Sequence, residues 1–584
     1  MCGITSSFAY GSDAPPVDRG EVEKITESMR VRGPDAGGTW FSDDGRVGMG
    51  SRRLAIIDLS DEGTQPLHDV DNLLTIVFNG EIYNHRELRT QLERHGARFH
   101  STSDTEVLLQ MYRRYGAEMV RLLRGMFSFA IFDARERRLF IARDPYGIKP
   151  LYFADDGTTF RCASTVKALL AGERISRTPD PAAAAGFFLT GTVPEPLTTF
   201  ESIRAVEAGT CFFVDARGRG DVERFYSVAA TFARGAEQES AARLVEPNIL
   251  LRELVTESLR HHLVSDVPVG VFLSGGIDST ALAALAAEAG QPPSSITVRF
   301  DRLRDSSDDE APIAERFALE RKLEQTTRLV TREEFLADLP RFFAAMDQPT
   351  IDGTNTWFVS KAAAERKLKV AISGLGGDEL FGSYSSFREI PRIVRGSRFP
   401  LASLAARVIR HPKSSALARY GRTYAGAYFV KRGLFLPDEL PSVLGREIAE
   451  EGLRRLDIVA SIERSLVPDP GTPFGRVASL EASNYMRNQL LRDTDWASMA
   501  HSLEVRTPLV DAALLRQIAP LLMIERERCK QHFAVSPRTP LPDYLRNRPK
   551  TGFTVPIAAW MELPPDGTST RMRTWARVVW ERWR

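Results

Sequence analysis

Up to about residue 165, apolar positions fall in short runs broken by turn residues. LLTIVFNGEIYN (73–84), MFSFAIFD (126–133) and RLFIARDPYG (138–147) are rich in Val, Ile, Phe and Tyr and are bounded by Gly, Asn, Asp or Pro, which predicts strands. Between them, HRELRTQLERHG (85–96) and DTEVLLQMYRRYG (104–116) place apolar residues on one helical face and stop at Gly96 and Gly116. Strands with a few interleaved helices predict an α+β layered domain. From about 190 to 245 the pattern weakens: GTVPEP and DARGRGD are turn-rich, and TFARGAEQESAAR (231–243) is polar without a strand pattern, so this stretch reads as a connector.

After residue 246 the pattern changes again. NILLRELVTESLRHHL predicts a helix, and VPVGVFLSGG (267–276) is a nearly continuous apolar run ending in Ser-Gly-Gly, as expected of a buried parallel strand. The alanine-rich IDSTALAALAAEAG predicts the helix that follows, and SITVRF (295–300) and KVAISG (369–374) repeat the strand signal with helices between. Alternation of this kind predicts a doubly wound α/β core. Residues 390–584 read as mostly helical and Arg-rich, and no repeat of 20–50 residues is present.

Composition narrows the classes. The chain of 584 residues is 43% hydrophobic and 26% charged, so it is neither disordered nor fibrous. With 77 Lys+Arg against 76 Asp+Glu the net charge is +1, which speaks against a broad nucleic-acid-binding face. The four cysteines, Cys2, Cys162, Cys211 and Cys529, form no C-x-x-C pair, so neither a disulfide framework nor paired-cysteine zinc is expected. No run of about 18 apolar residues predicts a membrane span, and MCGITSSFAY lacks the features of a signal peptide. The expectation is a cytoplasmic protein with no nucleic-acid or membrane partner.

Cys2 follows the initiator methionine, whose removal before a small residue would leave cysteine first. A free α-amine with a reference pKa near 8 can take the thiol proton, giving nucleophile and base in one residue. Amide cleavage also needs an oxyanion hole, and Asn79 and Gly80 in FNGEIYNH can supply a side-chain amide and a backbone N–H. An amino-acid substrate needs a cation for its carboxylate and carboxylates for its ammonium; Arg53, Glu81 and Asp104 are of those types, although Asp104 before T-E-V is equally a helix N-cap.

The ordered set MCGI, RGPD, RRLAIID, NGEIYN and DTE resembles the glutamine-dependent asparagine synthetase family, whose first part is a class II glutamine amidotransferase. The resemblance covers about residues 2–560 and implies an N-terminal-nucleophile hydrolase domain of αββα layers, an α+β fold, at 2–190. It implies a connector with edge elements at 191–245 and an α/β ATP-pyrophosphatase domain with a mainly helical C-terminal part at 246–584. It further implies Cys2 as the nucleophile that forms a glutamyl thioester and Asn79 with Gly80 as the oxyanion holders. The same resemblance implies Arg53 and Ile56 in the glutamine site, the arginine on the carboxylate, with Glu81 and Asp104 at the α-amine end.

The second constellation is SGGIDS (274–279), between a strand and a helix. Its glycines let backbone N–H groups turn toward an anion at the helix N-terminus, Ser274 and Ser279 add hydroxyls, and Asp278 invites Mg²⁺ between itself and phosphates. No G-K-[ST] follows, so this is not a kinase-type P-loop. It resembles the pyrophosphate loop of ATP pyrophosphatases. The resemblance places Leu273 and Val298 near adenine, and Ser274, Gly275, Gly276, Asp278, Ser279, Ser373 and Gly374 around ATP. It places Asp278 and Asp378 on Mg²⁺ and Lys550 on the phosphates. Arg492, Asp493 and Asp495 read mainly as structural ion pairs.

One residue departs from the family. Leu375 stands in the G-x-G-G-D-E motif where typical members carry an acidic residue with a base role, and the acceptor region DQPTIDGTNTWF (347–358) also looks atypical. The reading is therefore glutamine- and ATP-dependent amide synthesis with ammonia passed to an acyl-adenylate. L-Aspartate is the favoured acceptor, and a polysaccharide uronic acid or natural-product precursor is the alternative. A homodimer is expected from the family.

Overall fold

The computed structural model describes residues 2–238, 246–397, 412–525, 528–549, 555–563 and 568–583. The strands of the first unit are β1 (Cys2–Ala9), β2 (Ala36–Phe41), β3 (Val47–Arg53), β4 (Leu67–His68), β5 (Leu74–Ile82), β6 (Gly125–Asp133), β7 (Arg138–Arg143), β8 (Tyr152–Asp155), β9 (Thr159–Ala163), β10 (Arg204–Ala205), β11 (Thr210–Asp215), β12 (Gly218–Arg219) and β13 (Glu223–Arg224). They form two antiparallel sheets, ordered β10-β8-β9-β1-β3-β2 and β12-β11-β7-β6-β5-β4, with β13 on β11. The stretch read as a connector thus supplies strands to both sheets.

Side-chain alternation explains the layering. Along β5 and β6, Ile76, Phe78, Phe127 and Phe129 pack outward with Leu88, Leu92, Val107 and Leu108 of the helices His85–Arg94 and Asp104–Tyr115. Val77, Ala130 and Phe132 face inward and meet Ile4, Phe8, Val47 and Met49 of the other sheet. That sheet is covered by Ile25, Val166 and Leu169 of the helices Arg19–Ser28 and Val166–Ala171, and by Met29, which caps the first of them. The result is αββα, and because β5 and β6 are buried on both faces, they read as nearly unbroken apolar runs.

The second unit is built on a parallel sheet of β14 (Val269–Phe272), β15 (Ser294–Phe300), β16 (Gln325–Val330), β17 (Val370–Ile372) and β18 (Glu504–Arg506), ordered β16-β15-β14-β17-β18. The order reverses between β14 and β17, so the loops leaving their carboxyl ends diverge and open a crevice there. Those loops are SGGIDS and SGLGGDE. The helices Tyr424–Arg432, Ile458–Glu463 and Arg492–Met499 line the crevice, with a long π-helical stretch at Glu481–Leu491 whose i→i+5 bonding widens the helix.

Candidate active sites

The first site sits where the two sheets of the N-terminal unit meet. Cys2 opens β1 and pairs in register with Arg53 at the end of β3, while Asn79 comes from β5 in the facing sheet. The Cys2 backbone N–H donates to Asn79 Oδ1 at 3.0 Å. That bond fixes the Asn79 amide, and its Nδ2 is buried beside Cys2 with no hydrogen-bond partner, available as an oxyanion donor. Gly80 has φ +150°, and a Cβ there would lie 2.0 Å from the Met126 carbonyl oxygen, so only glycine lets the chain turn its N–H here. Burial pushes the Cys2 thiol up, opposed by a backbone hydrogen bond from Leu54 and by nearby Arg53.

Cys2, Arg53, Ile56, Gly80, Glu81 and Asp104 line one narrow cleft. The Arg53 guanidinium donates to the carbonyls of Ser60 (3.0 Å), Ile57 (3.1 Å) and Asp58, and so shapes the loop that carries Ile56. Asp104 is not the cap of its helix. Ser103 is, accepting from Thr105 N, and this frees the Asp104 carboxylate to accept from Ile82 N at 2.9 Å. Burial raises Asp104, and burial with neighbouring Glu504 raises Glu81 well above the usual carboxylate range, with Arg506 opposing.

The second site occupies the crevice of the parallel sheet. Ser274 Oγ and Ser279 Oγ lie 2.9 Å apart, and Gly276 N donates to Ser274 Oγ, holding the loop as a tight turn at the start of helix Ile277–Glu288. The loop after β17 presses against it: a Cβ on Gly377 would lie 2.4 Å from Asp278 Cγ, and one on Gly374 would lie 2.9 Å from Ser279 N. Asp278 and Asp378 are thereby brought together. Between them sits Lys530, whose Nζ donates to Asp278 Oδ2 at 2.5 Å and Asp378 Oδ1 at 2.9 Å. Desolvation alone would lower this ammonium, but the two carboxylates hold it above its ordinary value. Leu273, Val298, Ser373, Gly374 and Leu375 line the same cavity.

Comparison with known proteins decides the family. A glutamine amidotransferase domain model matches residues 1–226, and an asparagine synthase model matches residues 250–571. The chain is 32% identical to asparagine synthetase [glutamine-hydrolyzing] 1 of Bacillus subtilis, over 99% of this chain and 90% of that protein. The chain belongs to the glutamine-hydrolysing asparagine synthetase family. It is also 32% identical to a putative asparagine synthetase of Mycobacterium tuberculosis (96% of this chain, 88% of that one) and to amidase chry2 of Gibberella zeae (66% and 60%). As a glutamine-hydrolysing, ATP-using ligase it carries an N-terminal-nucleophile domain before its synthetase domain, as the sequence led us to expect.

Several residues at the asparagine synthetase crevice escaped sequence reasoning. Lys530 is one: a lone lysine in the short helix Cys529–Ala534, with no motif around it. Arg432 is another. It pairs with the buried Glu481 at 2.9 Å and sits over the rings of Tyr384 and Tyr485. Asp493 accepts from Thr350 Oγ1 (2.7 Å) and Trp496 Nε1 (3.0 Å), and burial with nearby Asp352 pushes its carboxyl up to about 7. Arg492 donates to Val193 O and Thr192 Oγ1, so of the three residues read as ion-paired only Asp495 is shown in one, with Arg32 at 2.7 Å. Lys550 lies outside the described residues. No helix among the described residues is long and apolar enough to cross a membrane, and no group of three or more His, Cys, Asp or Glu there suits a metal by itself.

Proposed function

We propose that this protein hydrolyses glutamine at Cys2 and uses the ammonia to amidate a carboxylate activated by ATP, with L-aspartate as the acceptor and L-asparagine as the product. In this reading the Cys2 thiolate attacks the glutamine amide carbon, the oxyanion is held by Asn79 Nδ2 and Gly80 N–H, and ammonia leaves as the thioester forms. Water then releases glutamate. Arg53 and Ile56 position glutamine, with Glu81 and Asp104 at its amine. At the second site the acceptor carboxylate attacks the α-phosphorus of ATP and displaces pyrophosphate. Ammonia then attacks the acyl-adenylate carbonyl, yielding the amide, AMP and a proton.

The observation that carries this reading is the pairing of the SGGIDS and SGLGGDE loops, with Asp278, Asp378 and the Lys530 ammonium converging at one sheet crevice. A cation at that point can offset charge developing on a leaving pyrophosphate. Two carboxylates plus phosphate oxygens form the kind of donor set Mg²⁺ takes, so Asp278 and Asp378 would hold the ion, which would neutralise the phosphates. Ser274, Gly275, Gly276, Ser279, Ser373 and Gly374 would cradle the phosphates, Leu273 and Val298 the adenine, and Lys550 would add a second cation.

One observation favours a second acceptor. Leu375 lines the crevice, and leucine cannot take a proton from the attacking nitrogen. A different carboxylate, such as a uronic acid or a natural-product precursor, is therefore the second reading, and a relative at 32% identity bears the name amidase. The test is incubation with glutamine, ATP and Mg²⁺, with and without L-aspartate, read as asparagine by mass spectrometry and as pyrophosphate. Asparagine with matching pyrophosphate supports the aspartate reading. Glutamate without aspartate-dependent pyrophosphate overturns it and keeps the glutaminase.

A further inference from the structure

The helix Thr568–Trp583 closes the chain, and the asparagine synthase family model stops at residue 571, before most of it. It is amphipathic, and Trp575, Ala576, Val579 and Trp580 are buried. Trp580 stacks on Phe187 with ring centroids 5.4 Å apart, and Arg573 forms a two-pronged ion pair with Glu439 at 2.9 and 3.0 Å while its Nε donates to Leu434 O. The helix is thus docked along its length.

Two of its side chains do more than dock. Trp575 Nε1 donates to the Ile351 carbonyl at 3.1 Å, and Trp583 Nε1 donates to the Met346 carbonyl at 3.0 Å. These carbonyls bracket the stretch 346–351, the lead-in to the part of the wall where Ile351, Asp352, Gly353, Thr354 and Asn355 line the synthetase cavity. Met572, on the same helix, lines that cavity too. The stretch is held from the opposite side by the N-terminal unit: Asp347 accepts from Val166 N and Lys167 N, and Ile351 N donates to Gly191 O at 3.0 Å. Gly353, at φ +91°, then starts the next helix, and a Cβ there would lie 2.7 Å from the Trp496 ring, so the segment has little freedom of its own to recover if one side lets go.

We propose that the C-terminal helix is a positioning element for the acceptor wall, with the indole N–H groups of Trp575 and Trp583 fixing the segment 346–353 and so setting affinity for the acceptor. The ATP loops leave β14 and β17 on other hydrogen bonds, and the Cys2 cleft lies in the other unit, so neither depends on these two donors. A protein hydrogen bond contributes about 0.5–1.5 kcal/mol net, a factor of roughly two to ten in binding when lost.

The test uses the full chain with Trp575→Phe and Trp583→Phe, which keep the ring and remove the donor. The expected result is a rise of roughly two- to tenfold in acceptor KM for each. ATP KM and glutamine hydrolysis should stay within about twofold. This rests on the proposed amide synthesis, so a second measurement stands apart from it. Hydrogen exchange at the Ile351 and Gly353 amides of the native protein should quicken by a similar factor in Trp575→Phe. If no carboxylate elicits pyrophosphate release from the wild type, the proposed function fails, and the exchange result alone decides the positioning role. Unchanged exchange overturns the positioning role. So does an acceptor KM that is unchanged, or one that rises only in step with ATP KM.

Discussion

At the residue scale, the proposed mechanism uses both ends of the Asn79 amide: Oδ1 accepts from Cys2 N, and Nδ2, buried without a hydrogen-bond partner, would hold the oxyanion. Asn79→Ala removes both. We expect glutamine-dependent synthesis to fall by about 10²–10³, as for other lost oxyanion donors, with ammonia-dependent synthesis nearly unchanged. Cys2→Ala should abolish the first and spare the second, and equal loss of both would show that the two sites are not separate. Lys530→Met tests the other site. It leaves Asp278 and Asp378 facing each other without their shared cation, and pyrophosphate release should drop at least about 100-fold while glutamine hydrolysis in the absence of ATP persists. Legibility differed sharply between these residues. Cys2, Asn79 and Gly80 stand in short motifs whose chemistry is local. Lys530 reaches Asp278 across 252 positions and Asp378 across 152, and a lysine carries no local sign of such a partner.

At the element scale, the strands were readable because turn residues punctuate them: the runs at 73–84 and 126–133 became β5 and β6 within a residue or two. The weak stretch after residue 190 was not readable as sheet. Its strands β10, β12 and β13 are two residues long, too short to show alternation, and β11 is recognisable only through its pairing with β7. The helix starting at Asp104 is legible, but whether Asp104 caps it or serves the site is not, because Ser103 and Asp104 are both good caps and only the tertiary bond to Ile82 N claims Asp104. The π-helical stretch was invisible, since a wider helix needs no distinctive composition. The two glycine loops were legible as loops, yet their mutual approach was not. Gly377→Ala makes that approach measurable: its Cβ would sit 2.4 Å from Asp278 Cγ, so the loops must part. ATP–pyrophosphate exchange should fall by at least about tenfold, because the displaced Asp278 lines the crevice, and the thermal midpoint should drop by several degrees, because Gly377 is itself buried. An unchanged exchange rate would mean that the loops do not act together.

At the scale of the whole molecule, the two units are joined by buried charge as well as apolar packing. Arg32, of the RGPD motif, is buried and donates through both terminal nitrogens to Asp495, at 2.7 and 3.1 Å, while its Nε reaches the Cys2 carbonyl at 3.4 Å. Nearby, Tyr83 of the first unit lies 4.1 Å, ring to ring, from His262 of the second. Burial holds His262 down at about 4, below the ordinary value of 6.5. The native state therefore refuses a proton that the unfolded chain accepts. The stability due to the neutral ring is complete above pH 6.5 and is lost as pH falls toward 4, by roughly 3 kcal/mol in all. His262→Gln should flatten that part of the pH dependence of the urea midpoint, and an unaltered slope would exonerate the residue. Asp495→Asn goes to the joint itself. It leaves a buried guanidinium without its counter-charge, a change that costs about 3–5 kcal/mol where the partner is removed and less where a hydrogen-bond acceptor survives. Because the same guanidinium touches the Cys2 carbonyl, the effect should not stop at stability. If the joint couples the two reactions, the variant should make more glutamate than pyrophosphate at saturating ATP and acceptor, where the wild type makes them in step. A variant that is less stable but keeps the ratio would show that Arg32–Asp495 fastens the units together without linking their chemistry.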